Sequence, residues 1–267
     1  MPYADNEGVR IFWESQGEGE PVLLIMGLGY TSEMWHRVAP VLASRYRVVT
    51  FDNRGVGRTD KPPGAYPIAT MADDAAVVLR AAALESAHVF GISMGGMIAQ
   101  ELALRRPDLV RSLILGCTSC GGPEAIPAEP AVLSVLSARA AMTPEEGVRA
   151  MVPFIYDAST PRERVEDDLR IRLRSFPAAE SYLAQLQGVF SWGSHSRLNS
   201  IVVPTLIIHG ENDQLIPPEN AKILAKAING SRLLMIDSAS HIFPTDQPEQ
   251  TMEAISTFLE SILGNQS

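Results

Sequence analysis

The chain has 267 residues, 46% hydrophobic and 20% charged, which suits a globular protein with one large domain or a core carrying an insertion. Its net charge of −9 disfavours nucleic acid or an anionic membrane as a main partner. The polar, acidic start Met1 to Glu7 lacks the basic and apolar regions of a secretory signal, and the apolar run Pro21 to Met26 is far too short to span a bilayer, so a cytoplasmic location without membrane attachment is expected.

Taken in chain order, Val9 to Glu14 reads as a strand, and Val22 to Ile25 is a continuous apolar run of the kind that forms a buried strand. Met34 to Ala43 predicts a short helix. Val48 to Phe51 predicts a further strand, ending in the glycine-punctuated loop 52–59. Ala72 to Leu84 is an alanine-rich helical stretch. Strands are predicted at Ala87 to Phe90 and Leu113 to Leu115, with a helix from Met97 to Leu104 between them. Alternating strands and helices with short links imply an α/β fold, a mostly parallel sheet flanked by helices. Pro123, Pro127 and Pro130 then break the pattern. From about residue 131 to 197 only helices are predicted, two of them opened by the capping patterns Thr143-Pro144-Glu145-Glu146 and Thr160-Pro161-Arg162-Glu163. Alternation resumes with the strand Thr205 to Ile208, the helix Glu219 to Ile228, the strand Arg232 to Ile236 and a final helix from Glu249 to Leu263. The expected organisation is a core of residues 1–121 and 198–267, split by a helical cap at 122–197.

The most informative stretch is Gly91-Ile92-Ser93-Met94-Gly95-Gly96. Here a serine stands between a predicted strand and a predicted helix, in the pattern G-x-S-x-G. That context holds the serine on a sharp turn with its hydroxyl clear of the sheet, and close helix–strand packing requires glycine on either side. A helix N-terminus behind it favours developing negative charge. A nucleophilic serine needs a base, and the base needs an orienting acid, both in loops beyond the carboxyl ends of the strands. His209-Gly210-Glu211-Asn212-Asp213 follows one C-terminal strand and Asp237-Ser238-Ala239-Ser240-His241 the next. Asp213 and His241 are the expected acid and base, with Glu211 and Asp237 as rival acids and His209 as a support for the Asp213 turn. Amide donors for an oxyanion are expected at Met94, after the serine, and at Leu28 in the loop Met26-Gly27-Leu28-Gly29. The C-x-x-C pair Cys117 and Cys120 lies at a strand end rather than at a redox turn, and predicts two reduced thiols.

Together the loop Gly27-Leu28-Gly29, the segment Asp52-x-Arg54-Gly55-x-Gly57, the serine turn, His209-Gly210-x-x-Asp213 and Ser240-His241 resemble the α/β-hydrolase superfamily. The similarity is greatest to its small capped members, such as carboxylesterases and enol-lactonases. The resemblance implies an α/β-hydrolase fold with the cap inserted after the sixth strand. It also implies a serine hydrolase cleaving a small carboxylic ester or lactone through an acyl-enzyme, without metal or organic cofactor. Carbon–carbon bond hydrolysis and perhydrolysis can use the same triad, and a ligand-binding receptor can use the same fold; oligomeric state stays open. Many relatives have His-Gly where this chain has Met26-Gly27, which removes a brace from the oxyanion loop. Arg54, by the same resemblance, braces the core loops. The cap is expected to line an apolar pocket, with Trp192, Phe154 and Leu136 as candidates. Its arginines, among them Arg139, Arg149 and Arg172, are expected to pair with Glu163, Glu166, Asp167 and Asp168 on a solvated face, which favours a neutral ester or lactone over a dianionic one; the alternative is that one arginine binds a substrate carboxylate.

Overall fold

The continuous apolar runs of the sequence become the centre of one sheet. In the computed structural model, which describes residues 2–264, the strands are β1 (Tyr3–Asn6), β2 (Val9–Gln16), β3 (Pro21–Ile25), β4 (Arg47–Phe51), β5 (Ala87–Ile92), β6 (Val110–Gly116), β7 (Thr205–Gly210) and β8 (Arg232–Ile236). They lie in the order β1-β2-β4-β3-β5-β6-β7-β8. β1 and β2 pair antiparallel, β2 meets β4 antiparallel, and every pair from β4 to β8 is parallel. All of β3, β5 and β7 is buried, as expected for central parallel strands covered on both faces.

Side chains alternate across the sheet with the strand period of two. Leu23, Ile25, Val49, Leu113 and Leu115 enter one apolar cluster, under α2 (Ile68–Ala81), α3 (Met94–Arg105) and α9 (Glu219–Ala227). Val22, Leu24, Val48 and Ile114 enter the other, under α1 (Ala39–Leu42) and α11 (Pro248–Leu263). Fully burying each such side chain stabilises the fold by about 1.5–3 kcal/mol, so these two clusters hold the helices to the two faces of the sheet. The remaining helices, α4 (Pro130–Ala138), α5 (Pro144–Ala150), α6 (Val152–Ile155), α7 (Arg162–Arg174) and α8 (Ala179–Phe190), lie between β6 and β7, and the short α10 (Phe243–Asp246) follows β8. Among the described residues no helix is long and apolar enough to cross a membrane.

Three local expectations change. β1 was not predicted; four residues with polar ends carry no periodic signal, and the strand exists because it pairs along β2, with Tyr3 packed edge-on against Phe12. The helix predicted from Met34 to Ala43 is a 3₁₀ turn over Ser32–Arg37 followed by the single turn α1. Pro40 has no N–H and its ring obstructs the carbonyl four residues back, so a continuous helix cannot pass. Of the two capping patterns, Thr143 with Glu146 forms the reciprocal box. Thr160 does not cap α7; its hydroxyl donates instead to Asp246 Oδ1 at 2.6 Å.

Candidate active site

Ser93 stands between β5 and α3 with φ 58° and ψ −124°, a left-handed conformation that a side-chain-bearing residue enters only under strain. Four contacts hold it there. Its N–H donates to Gly116 O at 2.9 Å. Its carbonyl accepts from Gly96 N and Met97 N at 2.9 and 3.2 Å and from Thr118 Oγ1 at 2.7 Å. The flanking glycines are obligatory: a Cβ on Gly91 would overlap the Gly95 carbonyl, and one on Gly95 would overlap the Ile25 carbonyl. Neighbouring backbone thus passes where side chains would stand, and Ser93 is pushed towards the cavity it lines.

His241 and Asp213 come together from the loops after β8 and β7. His241 Nδ1 lies 2.8 Å from Asp213 Oδ2, with both residues buried. Asp213 Oδ1 accepts from the Leu215 and Ile216 amides, each at 2.9 Å. His209 Nε2 lies 2.8 Å from Ile216 O and 3.3 Å from Asp213 Oδ2, so it supports the turn from below. Burial alone would raise the Asp213 carboxyl, but the charge and hydrogen bonds of His241 and His209 outweigh it and hold the group well below the usual carboxylate range. The rival acids are elsewhere: Glu211 and Asp237 are exposed. Cys117 Sγ, His209 and Asp213 lie within 4.8 Å of one another; Cys117 Sγ, His209 Nε2 and the Asp213 carboxylate each have protein partners, and His209 Nδ1 is buried without one. Burial pushes the Cys117 thiol up, and it accepts from Gly210 N at 3.5 Å and donates to Ser240 O at 3.6 Å. Both cysteines are free thiols and buried.

Ser93 and His241 line one cavity of about 70 Å³ together with Gly27, Leu28 and Met94. Among the described residues neither the Leu28 nor the Met94 amide donates to another protein atom. The loop Met26-Gly27-Leu28-Gly29 has braces the sequence did not announce. Gln185, buried on α8, accepts the Gly29 N–H at 2.8 Å and donates to Arg54 O at 2.8 Å. Asn53 Nδ2 holds Met26 O at 2.8 Å. These do for the loop what Met26 cannot. Arg54 itself is fastened to Asp74 by two bonds of 2.6 Å and lies within the core. A second brace links the His241 loop to the helices above it: Asp246 accepts from Ser240 N at 2.7 Å and from Thr160, and Ile242 N donates to Ile155 O at 2.9 Å. Burial pushes the Asp246 carboxyl up to about 6.

The pocket candidates divide. Leu136 lines the cavity, as do Met151, Ile155 and Leu186. Trp192 does not: its ring joins the main core and its N–H donates to Glu101 Oε2 at 2.9 Å. Phe154 packs among the helices between β6 and β7, half-buried and away from the cavity. An indole N–H buried in a core takes a polar partner, and Glu101 on α3 supplies it. The solvated arginine face holds for Arg149, Arg162 and Arg170, which pair with Glu166 and Asp167, and is corrected for others. Arg139, Arg172 and Asp168 are buried; Asp168 accepts from Tyr156 Oη and Thr245 Oγ1 at 3.0 and 2.6 Å and lies 2.9 Å from His36 Nε2. Helical charge patterning shows which residues share a face, but not that this face is turned inward.

Comparison with known proteins agrees with this architecture. The family model described as alpha/beta hydrolase fold matches residues 20–248. The chain is 32% identical over 267 residues, covering 98% of itself and 99% of the relative, to a protein of Azorhizobium caulinodans provisionally named carbamate hydrolase RutD. Among solved structures, a thermophilic esterase from Thermogutta terrifontis superposes with a TM-score of 0.83 at 27% identity, over 97% of this chain and 98% of that one. The enol-lactonase from Burkholderia xenovorans LB400 superposes with a TM-score of 0.87 at 25% identity, over 97% and 100%. A strained serine between strand and helix, a parallel sheet in this order and a match over most of its length place the chain in the α/β-hydrolase family.

Proposed function

We propose that the protein is a cofactor-independent serine hydrolase that transfers the acyl group of a small carboxylic ester or lactone to water. The observation that carries the reading is the His241–Asp213 pair at 2.8 Å beside a cavity that His241 shares with the strained Ser93. The relatives named above as an esterase, an enol-lactonase and a carbamate hydrolase support it, since all three names describe addition of water at an acyl carbon.

In this mechanism Ser93 Oγ attacks the carbonyl carbon while His241 Nε2 takes the hydroxyl proton. Asp213 fixes the imidazole tautomer with Nδ1–H towards itself and stabilises the imidazolium that forms. The oxygen of the tetrahedral intermediate is received by the Leu28 and Met94 amides, which have no other acceptor among the described residues. His241 then gives its proton to the leaving alcohol. A water, deprotonated by His241, attacks the acyl-Ser93 carbonyl, and collapse of the second tetrahedral intermediate returns the proton to Ser93 Oγ and releases the acid. For a lactone, leaving alcohol and acid are the two ends of one product.

The test is turnover of a panel of short-chain esters and lactones by wild-type protein and by Ser93→Ala. Loss of the nucleophile costs on the order of 10⁴–10⁶ in turnover, with the thermal melt unchanged because the Ser93 backbone bonds remain. A folded Ser93→Ala protein that retains near wild-type activity overturns the assignment. Wild-type protein that binds the panel without turning it over points to a receptor.

A further inference from the structure

Two arginines between β6 and β7 differ from their neighbours. Arg149, Arg162, Arg164, Arg170 and Arg174 each face a surface carboxylate. Arg139 and Arg172 are 2% and 1% exposed and form no ion pair among the described residues. Arg139 Nε donates to Gly147 O at 3.2 Å, and its Nη2 is buried without a partner. Arg172 Nη1 donates to Tyr156 Oη at 3.2 Å, and its Nε and Nη2 are likewise buried and unpartnered. Both guanidiniums lie against the Tyr30 ring, 5.1 and 4.3 Å from its centroid; Arg139 is also 5.1 Å from the Phe176 and Tyr182 centroids, and Arg172 5.8 Å from that of Tyr156.

Such ring contacts return about 0.5–2 kcal/mol each, whereas desolvating an ion costs several kcal/mol. Burial lowers both groups, Arg172 to about 9; a guanidinium in a protein keeps its charge. The structure therefore maintains positive charge with no anion of its own to meet it. Its position is specific. Arg139 and Tyr30 line the cavity that holds Ser93 and His241, whose other walls are largely apolar. Arg139 Nη1 also lies against the oxyanion loop, 3.4 Å from where a Cβ on Gly29 would stand. A group bonded to Ser93 with its oxygen on that loop shares the cavity with this guanidinium. The cavity is small, about 70 Å³, which suits a short acyl portion.

We propose that Arg139 is a specificity-determining residue that binds a carboxylate on the acyl portion of the substrate, selecting short carboxylate-bearing esters or lactones over neutral ones. The proposal deepens the reading of Ser93 as the acyl-accepting nucleophile and rests on it for the hydrolytic assay. Arg172, behind Tyr30, adds to the positive field without lining the cavity.

The test compares ethyl hydrogen succinate with ethyl 4-methylpentanoate, which match in heavy-atom count and shape and differ in charge. Wild-type protein should favour the succinate ester. Arg139→Gln should lower kcat/KM for the succinate ester by ~30-fold or more, mainly through KM, with the neutral ester changed by less than about threefold. Arg139→Lys should recover part of the loss, and the exposed Arg162→Gln should move neither value. A wild-type preference for the neutral ester, or an equal fall for both esters in Arg139→Gln, overturns the proposal and leaves Arg139 as packing. Calorimetric titration with succinate separates this idea from the nucleophile assignment. Succinate that binds Ser93→Ala protein, and fails to bind the Ser93→Ala, Arg139→Gln double variant, supports Arg139 even if wild-type protein cleaves neither ester. Cleavage of the neutral ester with no succinate binding overturns the Arg139 proposal alone. If Arg139→Gln does not fold by circular dichroism, the wild-type ester ratio and succinate binding to Ser93→Ala still decide.

Discussion

Replacing Asp213 by Asn tests the triad geometry at its most constrained atom. The side chains are nearly the same size, so the effect is one of hydrogen-bond polarity. In the native site Oδ1 accepts two amides at 2.9 Å and Oδ2 faces His241 Nδ1 at 2.8 Å. An Asn side chain must place its NH₂ at one of these positions. Turned towards Leu215 N and Ile216 N, the NH₂ sets donors against donors. Turned towards His241, it keeps both amide bonds but forces Nδ1 to become the acceptor. The second orientation wins, and it moves the imidazole proton to Nε2, where the base must be empty to take the Ser93 proton. The expected loss in kcat is ~10⁴, equivalent to about 5.4 kcal/mol. The stability loss is smaller, about 1.5–3 kcal/mol for one charge-assisted bond, which lowers Tm by roughly 3–5 °C. Ester turnover and a thermal melt on the same sample measure both. Glu211→Gln, at an exposed position on the same loop, should leave turnover and Tm near wild type. An Asp213→Asn protein within tenfold of wild-type kcat, or a damaging Glu211→Gln, would refute the assignment of the acid.

Other substitutions probe the braces. Gln185→Leu strands the Gly29 N–H and the Arg54 carbonyl; each unsatisfied group costs about 1–3 kcal/mol, and kcat should drop by about tenfold as the oxyanion loop shifts, short of the 10²–10³ lost with a donor itself. Unchanged kcat with a lowered Tm would limit Gln185 to folding. Asp246, pushed up to about 6 against about 3.9 unfolded, keeps a proton in the native state that the unfolded chain has released. Its contribution to stability is therefore full below pH ~4 and is lost as pH rises through ~6; Asp246→Asn should flatten that part of a Tm-against-pH curve, and an unaltered slope would remove Asp246 as its source. Cys120→Ala and Cys117→Ala should each retain turnover within about tenfold, the cost being packing and, for Cys117, its weak bonds to Gly210 N and Ser240 O. Oxidant inactivation that a thiol reductant reverses in wild type but that vanishes in either variant would instead assign them a redox role.

Much of the site was legible in the sequence because its chemistry depends on local constraints. The Ser93 turn needs glycine where backbone passes backbone, so the pattern around it carries its own structural reason. Asp213 and His241 follow strands that the apolar runs identify, and parallel strands put their carboxyl-terminal loops at one edge. The split of Leu23 from Leu24 between two core clusters follows from strand period alone. What sequence could not decide is which face of a cap helix turns inward, because that is set by helices more than forty residues away. Trp192 was drawn into the core by Glu101, Thr160 left its helix cap for Asp246, and Gln185 reached back across 156 positions to Gly29. Arg139 and Arg172 show the same limit most clearly: the sequence presents two more charges in a charged segment, and only tertiary packing removes them from water and sets them beside Tyr30, Arg139 on the wall of the cavity and Arg172 behind it.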